Sequence, residues 1–396
     1  MRIVIFGGSF DPPHKGHLNM AMHVSRQLKP DLFLIIPDNL PPHKELSPLT
    51  PSPEDRLELC RRCFDSVPNA EVSDIEIARG GKSYTSDTLR ALREQYPDAE
   101  LILLVGGDML KTVDTWHEAD YILQTAALCA FPRSKKDAVA LEEKARVLRR
   151  VRGAEVHVIA QRPLPASSTN LRRALRFRGG TGLLTGAVYA YIVKNRLYGV
   201  RVNFEWLRKQ GYAMLKLGRI AHVRGCEEEA VRLAERYGAD RDLAAEAAIL
   251  HDCTKKAQLE EQLRLCEKYG IIPDDIERTN GKLLHAKTGA AVAEQEFGMN
   301  APVVEAIRWH TTGRADMTLL EKIIYMADYI EPNRDFEGVE ELRKLACEDL
   351  DRAVLRGLEM SLVDIAGRGE EPHPNTVAAI EFLKHGGKNA ESKGNR

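Results

Sequence analysis

The feature that most constrains this chain is a change of period near residue 200. Before it, short apolar runs at residues 3–6, 32–36, 101–105, 126–131 and 156–159 alternate with helix-periodic segments at 16–28, 53–64, 86–96 and 138–151. Apolar runs of this length suit strands buried on both faces, and alternation with helices through short connections predicts an α/β, doubly wound parallel sheet. After Tyr198 the strand signal stops and helical patterns follow one another at 227–237, 242–250, 260–269, 286–297, 318–329 and 339–364, which predicts an all-α domain. The expected domains are therefore 1–200 and 204–383, joined by a short linker, a division that suits a chain of 396 residues. The Gly/Lys/Asn-rich tail 386–396 is expected to be disordered. Neither an internal repeat nor a low-complexity tract is present.

Charge narrows the partners. Lys+Arg number 57 and Asp+Glu 58, so the net charge of −1 gives no field for nucleic acid or a membrane surface. No apolar run approaches the ~20 residues that span a bilayer, and the run 3–6 breaks at Gly7-Gly8, far too early for a signal-peptide core. Seven cysteines, an odd number spread along the chain, point to reduced thiols in a cytoplasmic setting. Cys60 and Cys63 form a CxxC, but it lies in an amphipathic helical pattern with no second pair, so both read as buried helical cysteines.

The first run leads straight into Gly7-Gly8-Ser9-Phe10-Asp11-Pro12-Pro13-His14-Lys15-Gly16-His17, where a helix begins. Glycines let backbone approach a ligand, and the unpaired N–H groups of a helix start suit phosphate. The spacing is not GxGxxG, which argues against a dinucleotide oxidoreductase. His14 and His17, three apart at the helix start, can reach triphosphate oxygens as pyrophosphate leaves. Late in the same domain, Ser167-Ser168-Thr169-Asn170-Leu171-Arg172 offers Ser and Thr as helix caps and Arg172 as a bidentate phosphate grip.

The first segment resembles the GGxFDPxHxGH signature of the HxGH nucleotidyltransferase superfamily, whose domain is Rossmann-like, and the second resembles its SSTxxR signature. Within that superfamily residues 1–200 look like nicotinate-mononucleotide adenylyltransferase, through Asn39-Leu40-Pro41-Pro42-His43-Lys44, Gly81-Lys82-Ser83-Tyr84-Thr85-Ser86-Asp87-Thr88-Leu89, and Gly106-Gly107-Asp108-Met109 followed by Trp116. The resemblance implies adenylyl transfer from ATP to nicotinate mononucleotide with Mg²⁺, and His14, His17, Lys44 and Arg172 in catalysis. It implies substrate contacts from Gly7, Gly8, Ser9, Phe10, Asn39, His43, Thr85, Gly106, Asp108, Trp116, Arg133, Ser168 and Thr169. An indole face suits the flat ring. Ala166 departs from the larger aliphatic usual before Ser-Ser-Thr. The rival reading is another adenylyl- or cytidylyltransferase of the same superfamily.

In the helical half, His222, His251-Asp252, His285, His310 and Asp328 stand out. His251-Asp252 ends an apolar helix and should face inward, where such a pair is costly unless it binds something. Imidazoles and carboxylates on the helices of one bundle are material for a Mn or Fe centre. A bridging Asp252 would serve a two-metal site.

This order resembles the HD superfamily of metal-dependent phosphohydrolases. Similarity through Arg219–Val223, 247–255, 283–289, 306–313 and 327–334 looks like the symmetrically cleaving diadenosine-tetraphosphate hydrolases of bacteria. It implies His222, His251, Asp252 and Asp328 as metal ligands of a mono- or dinuclear Fe or Mn centre, and His285 and His310 as second-metal ligands or phosphate contacts. Asp252 and Lys255 are expected in catalysis, with nucleotide contacts at Thr311 and Arg334. The rival readings are a different nucleotide phosphate as substrate, or a regulatory module without catalysis. Partners are then small molecules (ATP, nicotinate mononucleotide, diadenosine tetraphosphate), with a homo-oligomer left open.

Overall fold

The computed structural model describes residues 1–42, 45–132, 135–159 and 164–385. His43, Lys44, Arg133 and the tail 386–396 lie outside the described residues. The chain divides into two compact units, Met1–Arg201 and Val202–Arg396.

The first unit is built on six parallel strands in the order β3-β2-β1-β4-β5-β6. They are β1 (Arg2–Gly8), β2 (Leu32–Pro37), β3 (Ala70–Val72), β4 (Glu100–Gly106), β5 (Ala127–Phe131) and β6 (Val156–Val158). Residues 3–6, 32–37, 101–105 and 127–131 are buried throughout, as a sheet covered on both faces requires. β1 pairs with β2 from Ile3↔Leu32 to Gly8↔Pro37, and with β4 from Arg2↔Glu100 to Ile5↔Leu103. The order reverses between β1 and β4, the point at which open α/β sheets leave a crevice beyond their carboxyl ends. β3 escaped the sequence reading because three half-exposed residues, Ala70-Glu71-Val72, carry no apolar run.

Among the described residues the second unit is helical. Its helices include Ile220–Tyr237, Arg241–Leu250, Leu259–Tyr269, Gly281–Gln295, Ala301–Arg308, Leu319–Ile330 and Pro374–Lys384. The sequence pattern misplaced boundaries and missed elements. The helix expected at 227 begins at Ile220 and so carries His222, and Phe204–Ala213, Ala301–Arg308 and Pro374–Lys384 were not anticipated. The stretch 339–364 is two helices, Val339–Glu348 and Leu350–Gly367, split where Asp349 (φ −149°) caps the second by accepting from Arg352 N–H. No helix among the described residues is long and apolar enough to cross a membrane.

Candidate active sites

β1 ends in Gly7-Gly8 and β4 in Gly106, so both strands flanking the reversal finish without side chains. A Cβ on Gly106 would meet nothing within 4 Å, which leaves open ground above the sheet. The turn after β1 delivers His14 as N-cap of the helix Lys15–Leu28. His14 Nδ1 accepts from His17 N–H at 3.3 Å, and His17 Nδ1 accepts from His14 N–H at 3.2 Å. This is a capping box built from two imidazoles, whose rings stack at 3.7 Å and 11°. Each Nδ1 is an acceptor, so a neutral ring must carry its proton on Nε2. Burial pushes His14 down to about 4, against the pull of its backbone hydrogen bond. His14 is thus an uncharged hydrogen-bond donor at neutral pH.

Gly16 is obligatory for this stacking. A Cβ there would stand 2.9 Å from His14 Nδ1 and 3.3 Å from Ala166 Cβ. Phe10, itself buried, holds its ring 5.2 Å from that of His17.

The Ser-Ser-Thr segment does not cap its helix by side chain as expected: Ser167 is the N-cap of Ser168–Leu175 and makes no such bond. Ser168 Oγ instead donates to Pro12 O at 3.1 Å. Arg172 donates to Asp11 O at 2.6 Å, lies 3.3 Å from the Asp11 carboxylate, and donates to Thr169 Oγ1 at 3.4 Å. The two signatures, more than 150 residues apart, are one interlocked structure.

Two residues that sequence reasoning missed stand behind that turn. Arg56, 1% exposed, pairs with Asp38 at 3.0 Å and donates to Ser9 O and Asn39 O, while Ser9 Oγ donates to Asp38 at 2.5 Å. The available signal was an arginine on the buried stripe of Pro53–Phe64, one turn before Cys60. Asn39 is fixed in turn by Ser83 Oγ at 2.8 Å and Gly81 O at 3.0 Å. Thr85 opens the next helix, Trp116 packs half-buried against the core, and the Tyr84 and His117 rings meet at 4.5 Å, bringing those two segments together. Asp108 is exposed.

In the second unit five elements converge. His222 Nε2 lies 2.9 Å from Asp328 Oδ1, 3.4 Å from His251 Nε2 and 3.8 Å from Asp252 Oδ2. His251 Nε2 lies 3.4 Å from the same Asp252 oxygen and 3.9 Å from Asp328. The other Asp252 oxygen, Oδ1, faces His285 Nε2 at 3.1 Å and His310 Nε2 at 3.7 Å, and those two nitrogens are 3.1 Å apart. Asp252 thus addresses two groups of donors with its two oxygens. His251 and Asp252 are fully buried.

The opposite ring nitrogens explain the aim of the imidazoles. His251, His285 and His310 each turn Nδ1 to the carbonyl three residues back, Ala248 O, Lys282 O and Ile307 O, at 2.7, 2.7 and 2.6 Å. His222 turns Nδ1 to buried Glu331 at 3.1 Å. With each Nδ1 tied outward, the four Nε2 atoms point inward, the orientation from which imidazoles ligate a metal once Nε2 is free of its proton. Burial, opposed by the pull of the nearby Asp252 carboxylate, drops His285 to about 4 and lowers His310. Burial alone would raise the Asp252 and Asp328 carboxyls and lower His251, yet their mutual attraction reverses this: His251 is raised, and with the other imidazoles and Lys255 it holds both carboxyls well below the carboxylate range.

Asp252 Oδ1 is buried and makes no well-formed hydrogen bond, although Lys255 Nζ stands 3.0 Å away. An anionic oxygen so placed, ringed by lone pairs, fits a divalent cation. Arg219 donates to Asp252 Oδ2 at 2.5 Å, and Arg334 to Asp328 Oδ1 at 2.9 Å. Thr311, beside His310, buries its hydroxyl without a partner.

Residues 5–174 match the cytidylyltransferase-like family and residues 219–333 the HD domain. The first half is 38% identical over 200 residues to a probable nicotinate-nucleotide adenylyltransferase of Gemmatimonas aurantiaca, covering 50% of this chain and 92% of that protein. The second is 40% identical over 169 residues to the symmetrical bis(5'-nucleosyl)-tetraphosphatase of Bacillus subtilis, covering 42% of this chain and 90% of that protein. The chain belongs to both families. A protein of Mycoplasma genitalium named probable nicotinate-nucleotide adenylyltransferase/Ap4A hydrolase carries the same fusion, at 29% identity over 89% of this chain and 96% of its own length.

Sequence reasoning left out of the second site Glu331, which orients His222, and Arg219, which meets Asp252. The signal for Glu331 was a carboxylate directly after the apolar helix Leu319–Ile330. A third group, Asp274, Glu277 and His373, resembles a metal cluster by composition. There His373 Nδ1 accepts from Asn375 N–H at 3.2 Å, so Nε2 keeps the proton it gives Asp274 at 2.8 Å. That group is a helix cap.

Proposed function

We propose that residues 1–200 transfer AMP from ATP to nicotinate mononucleotide, releasing pyrophosphate, and that residues 204–383 hydrolyse diadenosine tetraphosphate to two ADP. The reading of the first unit is carried by the stacked, reciprocally capped His14–His17 pair at the crevice of the sheet. The mononucleotide 5′-phosphate oxygen attacks the α-phosphorus of ATP in line, one P–O bond forms, and the bond to the pyrophosphate oxygen breaks. Nε2–H groups of His14 and His17 donate to triphosphate oxygens, and Arg172, presented at Asp11, adds positive charge. Gly7, Gly8, Ser9 and Phe10 let the backbone approach the phosphates; Ser168 and Thr169 hold Pro12 and Arg172 in place. Asn39, Thr85, Gly106, Asp108 and Trp116 receive the mononucleotide and the adenosine, together with His43, Lys44 and Arg133. Mg²⁺ carried by the triphosphate supplies charge neutralisation when bound.

In the second unit the reading is carried by Asp252, whose two oxygens face separate sets of imidazoles. His222, His251, Asp252 and Asp328 would hold one divalent ion, Fe or Mn, and Asp252 with His285 and His310 would hold a second. Such ions supply Lewis-acid charge and activate water. Lys255, Arg219 and Arg334 are placed to neutralise the phosphate chain, and Thr311 lies at its edge. Water adds to a central phosphorus, the bond to the bridging oxygen breaks, and each half leaves as ADP.

Single substitutions in the full chain separate the two reactions. His17→Ala is expected to cut adenylyl transfer roughly 100- to 1000-fold, the typical cost of one preorganised donor, and to leave ADP formation unchanged. Asp252→Ala should do the reverse and bring ADP formation to background. Equal use of nicotinate and nicotinamide mononucleotides would overturn the substrate assignment, and failure to form ADP from diadenosine tetraphosphate would overturn the hydrolase.

A further inference from the structure

One of the buried thiols that neither reaction uses lies against the second site. Cys226 lies on Ile220–Tyr237 one turn beyond His222, hence on the same face of that helix, and is 1% exposed. Its Sγ is 3.3 Å from His222 Nε2, the nitrogen that faces Asp328 and His251. The potential donor atoms of His222, Cys226, His251 and Asp328 all lie within 4.8 Å of one another. That spread is compatible with one ion bound at ordinary Zn–N, Zn–O and Zn–S distances of roughly 2.0–2.3 Å. The remaining buried cysteine nearest the ligands, Cys253, directs its sulfur elsewhere, toward Gly289 O at 3.8 Å.

His222 Nδ1 faces Glu331 at 3.1 Å, which turns Nε2 toward Asp328, His251 and Cys226. With a metal bound, His222 Nε2 and Cys226 Sγ would both turn to the same ion, the thiol proton passing to bulk water as the S–metal bond formed. The contact that looks like simple cysteine packing is therefore also the arrangement that precedes coordination.

We propose that Cys226 is a thiolate ligand of the first metal ion, so that His222, His251, Asp252, Asp328 and Cys226 form a mixed N/O/S donor set. This inference rests on the metal centre proposed above. A soft sulfur donor shifts preference from hard ions such as Mg²⁺ toward Zn²⁺, Fe²⁺ and Co²⁺. It also makes metal retention sensitive to oxidants, since a sulfenic or sulfinic acid no longer presents the same sulfur.

The test is Co²⁺ titration of the metal-free full-length protein, followed by absorption spectroscopy. The expected spectrum has visible ligand-field bands together with an intense near-ultraviolet sulfur-to-cobalt charge-transfer band. Cys226→Val, close to the thiol in size, should lose the charge-transfer band, keep the ligand-field bands and bind Co²⁺ roughly tenfold or more weakly, the cost of losing even an outer-shell partner. Cys253→Ala should keep the full spectrum. Ligand-field bands without charge transfer in the unsubstituted protein would overturn the thiolate while leaving the metal centre intact. No stoichiometric Co²⁺ binding at all would overturn both.

Discussion

At the scale of single residues, the first site differs from the simple picture of a positive phosphate cradle. The sequence has two histidines at a helix start, within reach of triphosphate oxygens. Their Nδ1 atoms are committed to each other's backbone, and His14 is buried, which lowers its pKa to about 4. A histidine depressed on folding stabilises the fold fully above its unfolded pKa of about 6.5. That contribution is lost as pH falls from there toward 4, because the unfolded chain takes up the proton first. Histidine NMR of the free protein should therefore show His14 still neutral, with the proton on Nε2, at pH 5. A midpoint near 6.5, or an Nδ1–H tautomer, would contradict the capping geometry. Replacing His14 by Gln should flatten the loss of stability between pH 6.5 and 4 by an amount on the order of 3 kcal/mol. His14 then brings no positive charge to this site at neutral pH.

At the scale of elements, the order His…His-Asp…His…His…Asp was legible because these residue types recur through a helical domain, on or just after helices that bring them into one cluster. What orients those ligands was not legible, because it is made by pairs far apart in sequence. Glu331 reaches His222 across 109 positions, and it does so over Gly225. A Cβ on Gly225 would lie 2.2 Å from Glu331 Oε2, so two helices are held at a distance only glycine permits. Asn333 completes the clasp, donating to that carboxylate from its backbone at 2.7 Å and its side chain at 2.8 Å. Gly225→Ala should push the carboxylate aside and free the His222 ring, weakening metal binding about 10- to 100-fold while the helix persists. Glu331→Ala should do likewise, and Glu331→Gln, which keeps an acceptor for Nδ1–H, should recover most of the affinity. Competition titration against a chelator reads all three, and wild-type affinity in Gly225→Ala would rule out the clasp. Arg56 and Asp38 escaped notice for the same reason, since their value lies in contacts with Ser9 and Asn39 rather than in any local spacing.

At the scale of the whole molecule, the switch of period near residue 200 coincides with the split between Arg201 and Val202. The sheet was legible because strands buried on both faces are continuous apolar runs, and β3 was not because three residues are too few to form one. Each unit encloses its own core and its own chemistry, and this has a thermodynamic consequence. A ligand stabilises only the cooperative unit that binds it, by about 2.7 kcal/mol when present at 100 times its dissociation constant. For a unit of this size that corresponds to roughly 5–10 °C in Tm, at about 2–4 °C per kcal/mol. Calorimetry of the full chain should therefore resolve two transitions, of which Mn²⁺ or Fe²⁺ moves one. The same transition should stay in place in Asp252→Ala, because the carboxylate that faces both donor sets is gone, while the other transition is unaffected by either change. A single transition, or a metal shift shared equally by both, would mean that the two units unfold as one and that the centre around Asp252 stabilises the sheet as well as the helices.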